Sequence, residues 1–237
     1  MNLNLSFMAE TFVHALTGIP TTLKITLVTL LISAPLGFFM ALGRMKGNKG
    51  GGRLVALYVS FIRGTPVVLQ ILFMYSLLPS LLNYLFKSVL HLNINIFRMD
   101  PIIYAYIVFS LNTTAILSEV FRSALMSVGH GQMEAALASG LSSSQAYRRI
   151  IIPQGLVVAL PNICNTTINL LKSTSLAFMM TVKDIMAIAK MDAAFGYNYI
   201  EAYLVVLAIY IILCTLVQIL FKVMEGFLSG YRRRITA

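Results

Sequence analysis

The chain has 237 residues, of which 58% are hydrophobic and only 11% are charged, and its mean hydropathy is +0.83. A soluble domain carries about 25% charged residues, so this composition excludes an ordinary soluble fold and makes lipid the solvent for most of the chain. The net charge of +10 does not point to nucleic acid, because the basic residues stand in joins between long apolar stretches and not along one folded face.

The first eighteen residues contain Glu10 and His14 and lack the basic leader of a cleaved signal. Residues 1–18 read as an amphipathic segment lying at the membrane interface. Five stretches after it reach the roughly 20 apolar residues that a spanning helix needs: 19–43, 60–84, 101–128, 151–180 (interrupted by polar residues) and 200–224. The expected fold is therefore all-α, an integral membrane bundle of five spans.

The joins give an orientation. Arg44, Lys46, Lys49 and Arg53 fill the first, and Arg148 and Arg149 lie in the third with Arg122 near its start. Arg232, Arg233 and Arg234 form a basic tail at 232–237. The second join carries Lys87 and Arg98 with Asp100, and the fourth Lys183 and Lys190. The bias places the odd joins and the C-terminus in the cytoplasm and the N-terminus outside; Lys183 and Lys190 weaken the contrast without reversing it.

Several motifs carry no chemistry. Gly47-Asn48-Lys49-Gly50-Gly51-Gly52-Arg53-Leu54 approaches a phosphate-binding loop, but Arg53 replaces the lysine, Leu54 replaces the Ser/Thr, and no strand precedes it. Asn112-Thr113-Thr114 and Asn165-Thr166-Thr167 match the glycosylation sequon inside predicted spans, beyond the reach of the enzyme. Cys164 and Cys214 lack metal or redox spacing. The three histidines are far apart, and no catalytic residue or metal ligand set is expected.

Three regions of the spans bear on a transport reading. In the fourth, Asn162, Asn165, Asn169 and Lys172 share one helical face, flanked by Thr166 and Ser173. Such a stripe either lines a wet path or forms a hydrogen-bonded seam between helices. In the third, Asn112 and Glu119 share a face, and Glu119 lies one turn from Arg122, so it is a path residue or a local ion pair. In the second, Arg63 and Gly64 precede Pro66, which marks a hinge or a plain helix start near the surface.

The third join, 131–150, is the most informative segment. Gln132 to Ser139 favours helix, Gly140 supplies a stop with positive φ, and Ser142 to Gln145 has capping-box spacing. Two short helices at an angle are expected, serving as a lever to a soluble partner or as an ordinary connector.

Glu134-Ala135-Ala136, then Gly140, then Ile152-Pro153 resembles the EAA motif of ABC importer permeases. Ile62-Arg63-Gly64-Thr65-Pro66 is similar to the signature of the polar amino acid subfamily, as are Glu119, Arg122, Gly131-Gln132, Pro153-Gln154, Leu160-Pro161, Asn165 and Leu171-Lys172-Ser173-Thr174-Ser175-Leu176. The ordered set covers about residues 19–231. Thr114-Ala115-Ile116, Ser123-Ala124 and Ala138-Ser139-Gly140 depart from the common wording of the family.

The resemblance implies a type I (MetI-like) ABC transmembrane domain over 19–231, in which Glu134, Ala135, Ala136 and Gly140 form the coupling helix. It further implies a second permease subunit, identical or similar, and a pair of ATPase subunits that alone bind ATP and magnesium. An extracellular solute-binding protein would deliver a polar amino acid, with cystine, glutamine, arginine and histidine as candidates. The permease would need no cofactor, would not be an enzyme, and would sit in the cell membrane. The competing classes are an ion-gradient-driven secondary amino acid transporter, which favours internal repeats and ion sites that the sequence lacks, and a membrane-embedded enzyme.

Overall fold

The computed structural model describes residues 3–45, 50–92 and 96–235, the side chains of 130 and 228–235 excepted. Lys46 and Lys49 of the first join, and the side chains of Arg232, Arg233 and Arg234, lie outside the described residues.

Helix α1, Leu5–Leu16, starts where the Asn4 side chain accepts a hydrogen bond from the Phe7 amide. Helix α2 spans Ile19–Met45, α3 Gly51–Arg63 and α4 Val67–Tyr84, with α4 ending in a π turn, Leu85–Val89. A short turn at Ile96–Arg98 leads to α5, Pro101–Met126, where Asp100 caps the Ile102 amide and proline stands at a helix start that needs no N–H from it. Helix α6 covers His130–Ala138. Helix α7, Ser143–Ala146, runs through a π turn at Tyr147–Ile151 into α8, Ile152–Ser173, which tightens into a 3₁₀ segment, Thr174–Met180. Helices α9, Ile185–Gly196, and α10, Tyr199–Ile235, complete the chain. No strand occurs among the described residues.

Among the described residues, five rods are long and apolar enough to cross a membrane: Ile19–Met45, Val67–Val89, Pro101–Met126, Ser143–Met180 and Tyr199–Phe227. Their number matches the expectation, but the second span begins later than expected, the fourth earlier, and the fifth ends later. The predicted 60–84 span straddles a break at Gly64-Thr65-Pro66, because Pro66 holds extended backbone (ψ 133°) and ends the preceding helix. Residues 51–63 form a separate amphipathic helix. The polar residues that interrupt the fourth apolar stretch do not break its helix: its hydroxyls bond back to the carbonyl one turn earlier, Thr166 to Asn162 and Thr167 to Ile163, so the rod continues. The last helix runs through the predicted tail to Ile235.

Helix α5 is the axis of the bundle. It packs most closely on α2, and the reason is written on one face of α2, where Thr22, Thr26, Thr29, Ser33, Gly37 and Ala41 are all buried. Lipid gives no hydrophobic drive between helices, so close backbone approach through small side chains supplies the attraction. At Gly37 an added Cβ would stand 3.0 Å from Leu117 Cβ and from the Ser118 amide. Ser33 Oγ donates to the Ser110 carbonyl at 3.1 Å. Gly155 plays the same part between α8 and α5, where a Cβ would lie 2.7 Å from Leu125 Cδ2. In contrast, α4 buries only Ile71, so most of its surface awaits lipid or another subunit.

Candidate functional site

The α6 segment projects from one end of the bundle. Its stop is local chemistry: Gly140 adopts φ +82°, the Gly140 amide bonds to the Leu137 carbonyl, and the Leu141 amide to the Ala136 carbonyl. The Ser142–Gln145 capping box forms in both directions. Ala136 is buried against the bundle, whereas Glu134, Ala135 and Gly140 are exposed, and Leu137 is 45% exposed. The expected second short helix is not a separate element. It is the foot of the Ser143–Met180 rod, joined to it by the π turn on which α6 rests.

Higher on that rod, Asn162, Asn165, Asn169 and Lys172 are all exposed, while Leu160, Thr167 and Leu171 on the opposite side are buried. The three asparagine side chains have no hydrogen-bond partner among the described residues. Asn165 also opens on a groove of about 300 Å³ whose polar lining includes Gln218, Lys222 and Glu225 of α10.

The break between α3 and α4 is stitched by one side chain. Gln70 Nε2 donates to the carbonyls of Ile62 (2.8 Å) and Thr65 (3.1 Å) and to Thr65 Oγ1 (2.8 Å). Its Oε1 accepts from Asn112 Nδ2 on α5 at 3.0 Å. Thr65 Oγ1 itself donates to the Phe61 carbonyl. The hinge residues Arg63, Gly64 and Pro66 therefore surround a turn whose carbonyls are partly satisfied by a side chain eight residues on, a role that no motif in the sequence marks.

Glu119 is brought to two arginines. Arg44 Nη1 lies 2.7 Å from Glu119 Oε2, and Arg122 forms the expected pair one turn away. The second arginine, from the end of α2, lies outside that expectation. Both carboxylate oxygens of Glu119 are thus engaged, so it links α2 to α5 as a paired carboxylate.

The opposite end of the bundle holds a second polar knot. Asp184 is fully buried, and its Oδ1 caps the Ala187 amide at 2.9 Å. The Tyr210 hydroxyl lies 3.5 Å from Oδ2 and 3.4 Å from Thr174 Oγ1. Burial pushes the Asp184 carboxyl up to about 6, against the opposing pull of its amide donors. Gly18 allows this packing, since a Cβ there would stand 2.5 Å from the Ile185 nitrogen. Residues 3–18, part of the segment expected at the interface, are tied to α9 and α10 nearby: His14 Nδ1 is 2.8 Å from Asp192 Oδ1, and the Asn4 amide donates to Glu201 at 3.3 Å. The only sequence signal for Asp184 is an acid placed directly before an apolar helix, the pattern of an N-cap.

A bundle of membrane-length apolar rods with an exposed polar stripe on one of them, and a short helix protruding from the foot of the same rod, has the build of a membrane transport subunit. The chain belongs to the family of binding-protein-dependent transport system inner membrane components, whose model matches residues 33–229. It is 35% identical to the L-cystine transport system permease protein TcyL of Bacillus subtilis (strain 168), over 96% of this chain and 93% of that protein. It is 34% identical to the histidine/lysine/arginine/ornithine transport system permease protein HisM of Escherichia coli (strain K12), over 88% and 86%. A solved amino acid ABC transporter with histidines superposes with a TM-score of 0.78 at 25% identity, covering 95% of this chain and 99% of that one. The inward-facing MetNI methionine ABC transporter shares the fold, with a TM-score of 0.67 at 17% identity over 94% and 97% of the two chains.

Proposed function

We propose that the chain is the permease subunit of an ATP-driven importer of a polar amino acid. One observation carries this reading: the Ser143–Met180 rod bears the α6 seat at its foot and the asparagine stripe along its length. Unpaired amides in hydrocarbon cost several kcal/mol each, so Asn162, Asn165 and Asn169 require water, substrate or another chain. A path bounded by two permease subunits meets that need, and a rod moved at its foot changes which side the stripe faces.

In this mechanism α6, with Glu134, Ala135 and Ala136 and its Gly140 stop, is the coupling helix seated on an ATPase subunit in the cytoplasm. The α1 and α9 end faces outward and receives a solute-binding protein. ATP binding draws two ATPases together and pushes the paired α6 elements. Each π turn at Tyr147–Ile151 passes the displacement to its rod, and the path opens outward. Hydrolysis reverses it. The free energy comes from the ATPase, and the permease contributes contacts that differ between the two states. ATP and magnesium stay with the partner, and the domain boundaries 19–231 and 131–150 follow these roles.

Proteoliposomes holding the permease, its ATPase and its binding protein test this with L-cystine, L-glutamine, L-arginine and L-histidine. ATP-dependent accumulation of one of them is expected. Uptake driven by a proton or sodium gradient without nucleotide would refute the reading in favour of a secondary transporter. Asn165→Leu and Asn169→Leu should assemble normally and lose most uptake; unchanged transport removes the stripe from the path.

A further inference from the structure

The α3–α4 break is level with the middles of α2 and α5, which puts it near the bilayer centre when those two helices span the membrane, and three contacts fix that level. Gln70 joins the Ile62 carbonyl to Asn112, near the middle of α5, Pro101–Met126. Tyr58 Oη donates to the neighbouring Leu111 carbonyl at 2.5 Å. The Ser33–Ser110 bond then aligns this level with the middle of α2, Ile19–Met45. Arg63 follows Ile62 directly and closes α3, so it stands at the same level.

Arg63 is exposed on the surface of the subunit, and no carboxylate among the described residues pairs with it. The acids that could have served are engaged elsewhere: Glu119 by Arg44 and Arg122, Asp184 by its cap and Tyr210. A guanidinium does not discharge, and a charge at the centre of the hydrocarbon is costly on every scale. The interface is about 15 Å away, half the thickness of the core, which is beyond the reach of an arginine side chain and of a lipid phosphate. Arg63 therefore faces a wet space or an anion that enters it.

We infer that Arg63 binds the α-carboxylate of the transported amino acid at the midpoint of the translocation path. This rests on the importer reading above. The planar fork of the guanidinium matches a carboxylate with two parallel hydrogen bonds. The Gln70 stitch holds the turn that presents it. Since every α-amino acid carries that carboxylate, Arg63 reads the shared part of the substrate and leaves side-chain selection to other groups.

The experiment uses the full complex in proteoliposomes with the same four amino acids. Arg63→Gln should lower uptake efficiency roughly 30-fold or more, the loss expected when one partner of a desolvated charge pair is truncated, while Arg63→Lys retains part of it. In a background with Cys164 and Cys214 replaced by serine, Arg63→Cys should react with aqueous methanethiosulfonates. The aminoethyl reagent, which restores a positive charge, should recover uptake of L-glutamine, L-arginine or L-histidine, and the sulfonatoethyl reagent should not. Parent-like transport by Arg63→Gln overturns the assignment, as does a cysteine at 63 unreactive to both reagents. Assembly lost with Arg63→Gln but kept with Arg63→Lys also overturns it, by assigning the charge to a partner subunit's acid. If the parent complex imports none of the four amino acids, the importer reading fails, and this assignment with it. If the parent imports and the variants are indifferent, only the carboxylate assignment fails.

Discussion

Replacing Gln70 with leucine tests whether the mid-membrane break is held by the hydrogen bonds of one side chain. Leucine fills a similar volume and makes none of the four contacts. The Ile62 carbonyl keeps a weaker partner, because the single Thr65 hydroxyl proton is shared between it at 3.3 Å and the Phe61 carbonyl at 3.0 Å. Two groups lose their partner: the Thr65 carbonyl and Asn112 Nδ2. An orphaned polar group in a dry site costs about 1–3 kcal/mol, but measured couplings between membrane helices average only about 0.6 and reach about 1.7. The lower end governs here, and about 2 kcal/mol is expected in total. In a chain of this size that corresponds to a fall in Tm of about 4–8 °C. Thermal unfolding of the purified subunit in detergent measures it. The double variant Gln70→Leu, Asn112→Leu should recover about 1 kcal/mol, since it also removes the orphaned amide. The reasoning fails if Gln70→Leu melts with the parent, or if the two substitutions destabilise additively.

Glu134→Lys, on an exposed position of α6, should leave Tm within about 0.5 kcal/mol equivalent of the parent and abolish ATP-driven uptake; retained uptake in proteoliposomes would remove α6 as the drive point. Asp184→Asn concerns pH. The folded-state value, raised to about 6, exceeds the ordinary 3.8, so the folded protein loses stability as pH rises from 3.8 to 6, and the full cost is present above that. A gap of that size between the folded and unfolded values corresponds to about 3 kcal/mol. Asparagine keeps the acceptor for the Ala187 amide and carries no charge, so the variant should melt above the parent at pH 7.5, with the difference narrowing by pH 4.5. A variant that melts below the parent at both values would show that the carboxylate is favourably solvated in the fold.

Much of the architecture follows from terms that act within one turn of chain. The number of spans comes from apolar length alone, because hydrocarbon accepts no unsatisfied backbone. The α6 stop comes from Gly140, which takes φ +82° at little steric cost, and the next start from Ser142 and Gln145, which satisfy each other's amides. The asparagine stripe is legible because helical periodicity puts 162, 165, 169 and 172 on one face whatever surrounds them.

Contacts between distant residues are set by packing. Glu119 and Arg122 are one turn apart, and their pair can be read directly. Arg44 reaches the same carboxylate only because small residues on α2 let that helix lie close along α5. Pro66 announces a disturbance, but not that the chain divides there into Gly51–Arg63 and Val67–Tyr84 or that Gln70 closes the gap. Asp184 has the sequence context of an ordinary cap, and its raised pKa comes from the burial imposed by Gly18, α9 and α10. The number of spans and the local stop and start around Gly140 can be read from the chain, since those outcomes depend on near neighbours and on the solvent. Which polar groups are paired and which stay open emerges only when the helices pack, because a side chain's partner and dielectric are supplied by segments many residues away.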